Sequence, residues 1–303
     1  MRGNLIKIFI TGGSGQTGPA IVTELIRAGH TVSGLARSDA STGVLGKLGA
    51  EPVRGSLEDL EVLATAAAAA DGVVHMAYGG DYADPEPMIR REVNAIRAMG
   101  DALANSNKPF VVTSGTLVLP HGRETSEADE PDRDGAAAAR LAGEDACLAF
   151  TGRGVRAIVL RLAPTVHGPN DHGFMPMLIG TAKEHGVSAY VGSGSNRWPA
   201  VHRSDAAKLY RLAVESAPAG SVLHAVAENV AFLDIAHTIA VGLGVPTTSL
   251  TSDEAAAHYI SPFMAVLYGA DAPVSSARTQ ELLGWSPTHE SLLADLAQGD
   301  YLR

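Results

Sequence analysis

Leu5-Ile6-Lys7-Ile8-Phe9-Ile10-Thr11-Gly12-Gly13-Ser14-Gly15-Gln16-Thr17-Gly18 is the stretch that decides the fold. Leu5–Ile10 is an apolar run that ends in glycines, the pattern of a strand buried on both faces. Pro19–Ala28, just after it, reads as a helix with proline near its first turn, where no N–H partner is lost. Gly12, Gly15 and Gly18 are spaced G-x-x-G-x-x-G. Between a strand and a helix, such glycines serve a tight turn, close backbone approach to a pyrophosphate, and helix–strand packing. The helix N-terminus adds free N–H groups and a positive dipole. Gly12, Gly15, Gln16, Thr17 and Gly18 are therefore the candidate cofactor-binding turn. The alternative is a glycine-rich turn with no ligand.

Further along, strand-like and helix-like segments alternate. Thr31–Ala36, Glu51–Arg54, Gly72–Ala77, Phe110–Ser114 and Val155–Leu162 read as strands, and Glu58–Ala70, Pro87–Ala104 and Gly135–Phe150 as helices. This order predicts an α/β fold, a doubly wound parallel sheet of Rossmann-like type with helices on both faces. The pattern then changes. Residues 163–200 are rich in Gly, Pro and polar groups, with one helix near Met175–His185. Helices follow at Ala206–Ser216, Leu233–Leu243, Asp253–His258, Ser276–Leu283 and Ser291–Gln298, with a strand at Val222–Val226. No linker separates two halves. The expected division is a dinucleotide-binding core of residues 1–165, to which 200–230 return a helix and a strand, and a small mixed C-terminal substrate lobe of 166–199 and 231–303.

Composition narrows the function. The net charge is −10 with no dense Lys/Arg run, so the basic face that nucleic acid requires is missing. No apolar stretch approaches the roughly 18 residues of a membrane helix, and the N-terminal residues do not resemble a signal segment. Cys147, the single cysteine, excludes an intrachain disulfide and a Cys-based zinc site. It lies in an apolar helical stretch and is expected in the core, and its isolation suits a reducing cytoplasm. The 11 histidines form no H-E-x-x-H or comparable cluster, so no metal is expected.

The second strand ends Leu35-Ala36-Arg37-Ser38, where an acidic residue would hold a ribose 2′-hydroxyl. Arg37 suits a 2′-phosphate, which favours NADP(H) over NAD(H). Asp39 keeps NAD(H) open, and a solvated strand-end charge is the bland alternative for Arg37.

The glycine turn, with Val74-His75-Met76-Ala77, resembles the short-chain dehydrogenase/reductase superfamily. So do Val112-Thr113-Ser114-Gly115, Arg161–Pro169 and Ala200–Ala207, and the likeness spans essentially the whole chain. The closest pattern is the extended or atypical branch, with its sugar-nucleotide epimerases, dehydratases and reductases. The resemblance implies that His75, Met76 and Ala77 line the cofactor, and that Ser114 or Thr116 polarises a substrate oxygen. It also implies that Leu162–Gly168, with Ala163, Thr165 and Val166, borders the nicotinamide. Asn94 is set against an Asn of the fourth helix, and a homodimer through two sheet-flanking helices is compatible.

One departure stands out. Members of that family use a Tyr-x-x-x-Lys pair after the fifth strand, the Lys lowering the phenol pKa for proton exchange. Here Ala136 and Arg140 fall at those positions, anchoring on Glu144. No Tyr lies between Tyr82 and Tyr190 and no Lys between Lys108 and Lys183. Arg140 can bind the nicotinamide ribose but is too weak an acid to donate a proton; pairing with Glu144 at i,i+4 is its alternative. Replacement groups are Tyr78, Tyr82, His167 and His172, with Asp81 and His121 behind them. Arg197 and Trp198, with Tyr190, form a candidate substrate-binding patch for an anion and a stacking ring, against a core Trp and a salt-bridged Arg. The expected function is an NADP(H)-dependent oxidoreductase acting on a small or medium organic molecule with an atypical proton donor. A sugar-nucleotide epimerase or dehydratase is one alternative and a non-catalytic NADP(H)-binding sensor is another.

Overall fold

A computed structural model describes residues 5–79 and 84–302. The first half builds β1 (Lys7–Thr11), α1 (Gly18–Arg27), β2 (Thr31–Ala36), α2 (Asp39–Lys47), β3 (Glu51–Arg54), α3 (Leu60–Ala68), β4 (Gly72–His75) and α4 (Pro85–Ala102). It continues through β5 (Pro109–Gly115), α5 (Leu141–Leu148) and β6 (Arg156–Leu162). The second half adds β7 (Thr165–His167), α6 (Phe174–His185), β8 (Ser188–Val191), β9 (Arg197–His202), α7 (Arg203–Ser216) and β10 (Ser221–Ala225). It ends with β11 (Glu228–Ala231), α8 (Phe232–Leu243), β12 (Thr247–Leu250), α9 (Ser252–His258), α10 (Pro262–Gly269), α11 (Ala277–Leu283) and α12 (Leu292–Gln298).

The seven-stranded main sheet is parallel throughout, in the order β10-β6-β5-β4-β1-β2-β3. Its order reverses between β1 and β4, which puts the glycine turn at the crevice where such sheets bind ligands. Alternation along the strands divides the core in two. Ile8, Ile10, Val74, Val111 and Leu160 pack with Ile21, Leu25 and Tyr210 of α1 and α7. Phe9, Val73, Val112 and Val159 pack with Leu63, Met99 and Cys147 of α3, α4 and α5. Cys147 is buried as expected, and burial pushes its thiol up to about 12.

The lobe contains a three-stranded sheet, β11-β9-β7, and a two-stranded parallel pair, β12-β8. Its core is aromatic: Trp198 meets Phe174, Phe232 and Tyr268 at centroid separations of 5.7–5.9 Å. α2 and α10 are absent from the sequence reading. α2 is held by a capping box between Ser38 and Ser41 more than by an apolar stripe, since Leu45 is its one buried residue. The expected helix over Gly135–Phe150 is shorter than the sequence suggests. The alanine run 136–139 forms a turn with Ala137 and Ala138 against the core, and α5 begins only at Leu141. Among the described residues no helix is long and apolar enough to cross a membrane.

On the face toward α5, the Arg161 guanidinium clasps the Glu144 carboxylate through Nε and a terminal nitrogen at 2.9 and 2.7 Å, both side chains 4% exposed. Arg161→Met strands that carboxylate without a countercharge and is expected to cost about 3–5 kcal/mol in urea unfolding, whereas Arg161→Met with Glu144→Leu recovers most of it. A single mutant as stable as the wild type would contradict the burial of this pair.

Candidate active site

The glycine turn closes tightly. Gly12 sits at φ +76°, and its carbonyl accepts from the Gly15 N–H at 2.9 Å. A Cβ on Gly12 would come within 2.8 Å of the Ala77 nitrogen, and one on Gly18 within 2.6 Å of the Gly13 Cα. The second and third glycine roles therefore differ: Gly18 lets α1 lie on the turn, while Gly15 is exposed and open to a ligand. No side chain caps the N-terminus of α1 at Thr17. These features fit a dinucleotide pyrophosphate, which needs backbone N–H groups and no Cβ in the way.

Thr11, not singled out by the sequence reading, stitches the turn to the end of β4. Its hydroxyl accepts from the Met76 and Ala77 N–H groups at 3.3 and 3.2 Å and lies 2.7 Å from His75 Nδ1. With both amides donating to it, the hydroxyl donates its own proton to Nδ1. Burial first, and then the Arg140 charge, pull the His75 pKa down to about 3, so the ring stays neutral. His75, Met76 and Ala77 are therefore placed as the wall facing the turn.

His75, Ser114 and Arg161 share one face of the sheet, because His75 pairs with Val112, Ser114 lies two residues on, and Arg161 pairs with Ser114. The hydroxyls of Ser114 and Thr116 are buried with no partner, as is His75 Nε2. Beside them stands Arg140. One terminal nitrogen donates to Glu92 Oε1 at 2.9 Å and the other to the Thr113 carbonyl at 2.6 Å. Its guanidinium carbon lies 3.6 Å from the centroid of the half-buried Tyr78 ring. The alternative partner of Arg140 is thus not the one found: Glu144 is taken by Arg161, and Glu92 holds Arg140. Glu92 was missed, although its place among Met88, Ala95, Ile96 and Met99 on the buried face of α4 is visible at helical spacing.

The other candidates separate from this cluster. Tyr82 and Asp81 lie outside the described residues. His167 is locked between β7 and α12, its Nδ1 2.8 Å from Asp295 and its ring edge-on to His202. His172, His121 and Asn94 are exposed, Asn94 on the outer side of α4. Trp198 is a core residue, fully buried with Nε1 donating to Thr165 Oγ1 at 2.7 Å, so it offers no stacking face. That bond also occupies the Thr165 hydroxyl. Val166 and Ala163 are buried as well, so none of the three residues offers an exposed side chain. Arg197 is held by both carboxylate oxygens of Asp271, at 3.1 and 3.0 Å. Gln16 reaches across to the lobe and donates to Asp171 at 2.6 Å. Arg37 is exposed at the end of β2, and Ser38 caps α2. Among the described residues no group of three or more His, Cys, Asp or Glu is placed to hold a metal ion.

A Rossmann-like core with this turn at its switch point defines a dinucleotide-dependent class of enzymes. The chain belongs to the NAD dependent epimerase/dehydratase family, which it matches over residues 8–226. It is 44% identical over 301 residues to an uncharacterized protein of Schizosaccharomyces pombe, covering 98% of this chain and 100% of the relative. It is 28% identical over 226 residues to a 2-alkyl-3-oxoalkanoate reductase of Stenotrophomonas maltophilia, covering 71% of this chain and 67% of the relative. A dTDP-glucose 4,6-dehydratase of Streptomyces venezuelae, solved with NAD bound, shares the fold with a TM-score of 0.78 at 17% identity, over 96% of this chain and 95% of that one.

Glu92 gives this site a pH signature. Burial outweighs the pull of Arg140, and the nearby Glu144 adds to it, raising the carboxyl from 4.5 to about 7. The folded protein therefore binds a proton that the unfolded chain has released, and stability falls as pH rises between those values. Relative to Glu92→Gln, the wild type is expected to lose roughly 2–3 kcal/mol of unfolding free energy from about pH 4.5 to about pH 7 and nothing further above it. A difference that stays flat across that window, measured by urea titration at stepped pH, would contradict it.

Proposed function

We propose that this protein is an NADP(H)-dependent oxidoreductase that works as a reductase on a small or medium organic carbonyl compound. The observation that carries the reading is the open glycine turn at the switch point with Arg37 exposed on the neighbouring strand end. A guanidinium there can take a ribose 2′-phosphate through parallel hydrogen bonds. Asp39, the carboxylate that would favour NAD(H), is ion-paired to Arg54 at 3.1 Å.

The residues divide the work as follows. Gly12, Gly15, Gln16, Thr17 and Gly18 would hold the pyrophosphate, and the 75–77 wall and the backbone at Ala163–Val166 would flank the nicotinamide. A bound nicotinamide would supply the hydride. Ser114 and Thr116 would donate hydrogen bonds to the substrate oxygen, which explains two buried hydroxyls without protein partners. Arg140, at the position of the family lysine, would bind the nicotinamide ribose. The likeness to a 2-alkyl-3-oxoalkanoate reductase supports a carbonyl substrate. A sugar-nucleotide substrate has less support, because Arg197, the cation suited to its phosphate, is neutralised by Asp271.

Titration with NADPH and NADH, followed by nucleotide fluorescence, tests this. NADPH should bind more tightly than NADH, and Arg37→Ala should weaken NADPH tenfold or more, about 1.4 kcal/mol, while leaving NADH unchanged. Absence of binding by either nucleotide would overturn the oxidoreductase reading.

A further inference from the structure

A carbonyl reduced by hydride needs a proton at its oxygen, and the family's phenol is replaced by Ala136. The groups beside Ser114 can be sorted by what they can give up. His75 is neutral, so its remaining N–H is a very weak acid. Arg140 is a permanent cation. Glu92 is buried behind Arg140, with its carboxyl against Gly143. His167 is not beside Ser114 but buried on β7 in the lobe sheet, against Asp295 and His202. Tyr78 is left, half-buried just past the end of β4.

We infer that Tyr78, seated on Arg140, is the proton donor of this enzyme, so that the tyrosine–cation pair survives with the tyrosine moved from α5 to the loop after β4. The inference rests on the reductase reading. Its geometry is that of a built contact. Two hydrogen bonds, to Glu92 and to the Thr113 carbonyl, fix the Arg140 plane, and the Tyr78 ring lies against it at 3.6 Å. The carbonyl that anchors Arg140 belongs to the residue before Ser114, so the Tyr78 ring and the cation lie at the ends of β4 and β5, where Ser114 stands. A fixed positive charge on the ring face favours phenolate over phenol, as the lysine does in the usual arrangement. A reduced nicotinamide would supply the hydride to the carbonyl carbon, and the Tyr78 phenol would give its proton to the carbonyl oxygen. The phenolate remains opposite Arg140 until solvent water reprotonates it. Arg140 is a positioning residue for this step, and Glu92 holds Arg140.

The test reads the phenol directly, by tyrosinate absorbance during alkaline titration. The chain has seven tyrosines. Burial pushes Tyr210, Tyr259, Tyr268 and Tyr301 above the usual phenol range, which clears the early part of the curve. The wild type should show one phenol ionising at least about one pH unit, tenfold in acid strength, below the others. Tyr78→Phe should lack it, Arg140→Met should move it up by a similar amount, and Arg140→Lys should retain it. If the phenol lost in Tyr78→Phe ionises with the rest, or if Arg140→Met leaves it in place, the pairing is wrong. For any aldehyde or 3-oxoester that the wild type reduces, Tyr78→Phe should lower kcat about a hundredfold or more while NADPH affinity stays within about threefold. An unchanged kcat overturns the donor role. A wild type that binds no NADPH overturns the reductase reading instead, and the titration separates the two failures.

Discussion

The hydroxyl of Thr11 holds the ends of β1 and β4 together, and the site depends on that closure. It takes two amide protons from Met76 and Ala77 and donates its own to His75, in a place where a Cβ on Gly12 would collide with the Ala77 backbone. The Met76 N–H also reaches the Thr11 carbonyl, at 3.2 Å, so it is the Ala77 amide that the hydroxyl keeps from being unsatisfied. With the closure made, the glycine turn, the uncapped start of α1 and the 75–77 wall form one rigid rim. His75 stays neutral beside this closure because burial first, and then the Arg140 charge, disfavour the imidazolium.

Behind the rim runs a row of buried charges on one face of the sheet: Arg140 with Glu92, then Arg161 with Glu144. Taking four charged groups out of water costs more than their pairing returns unless the geometry is good. The Arg161–Glu144 pair meets that condition with two parallel bonds. Glu92 meets it only halfway. One oxygen faces Arg140 and the other is buried without a partner, so its proton affinity rises. The result is a fixed cation at the cleft edge, backed by a carboxyl group that titrates near neutrality.

Much of the core was legible in the sequence because its signals are local. The apolar run ending at Thr11, the spaced glycines and the strand–helix alternation are each readable within about a dozen residues, and the strands fall at or within a residue or two of their expected places. α2 escaped because a single buried leucine gives no periodicity, and the alanines before α5 misled because helix propensity does not decide a segment that packs as a turn. In the lobe, the sequence left Trp198 open between a ligand-stacking residue and a core residue. The lobe core assembles around it from residues 174, 232 and 268, which no local window contains.

The sequence by itself determined the fold class, the family resemblance, the spaced glycine turn, and the lack of any Tyr between Tyr82 and Tyr190 or any Lys between Lys108 and Lys183. All are statements about which residues occupy consecutive positions. Which groups meet across the crevice was decided by tertiary structure alone. Arg140 is four residues from Glu144, at the spacing of a helical ion pair, yet it bonds to Glu92, 48 residues away. The segment at Arg140 is only a short turn, and Glu144 is already claimed by Arg161 on β6. Tyr78 reaches the same guanidinium from the loop after β4. Charge pairing is set by distance and burial after the sheet has closed, and neither quantity is written in the spacing of residues along the chain.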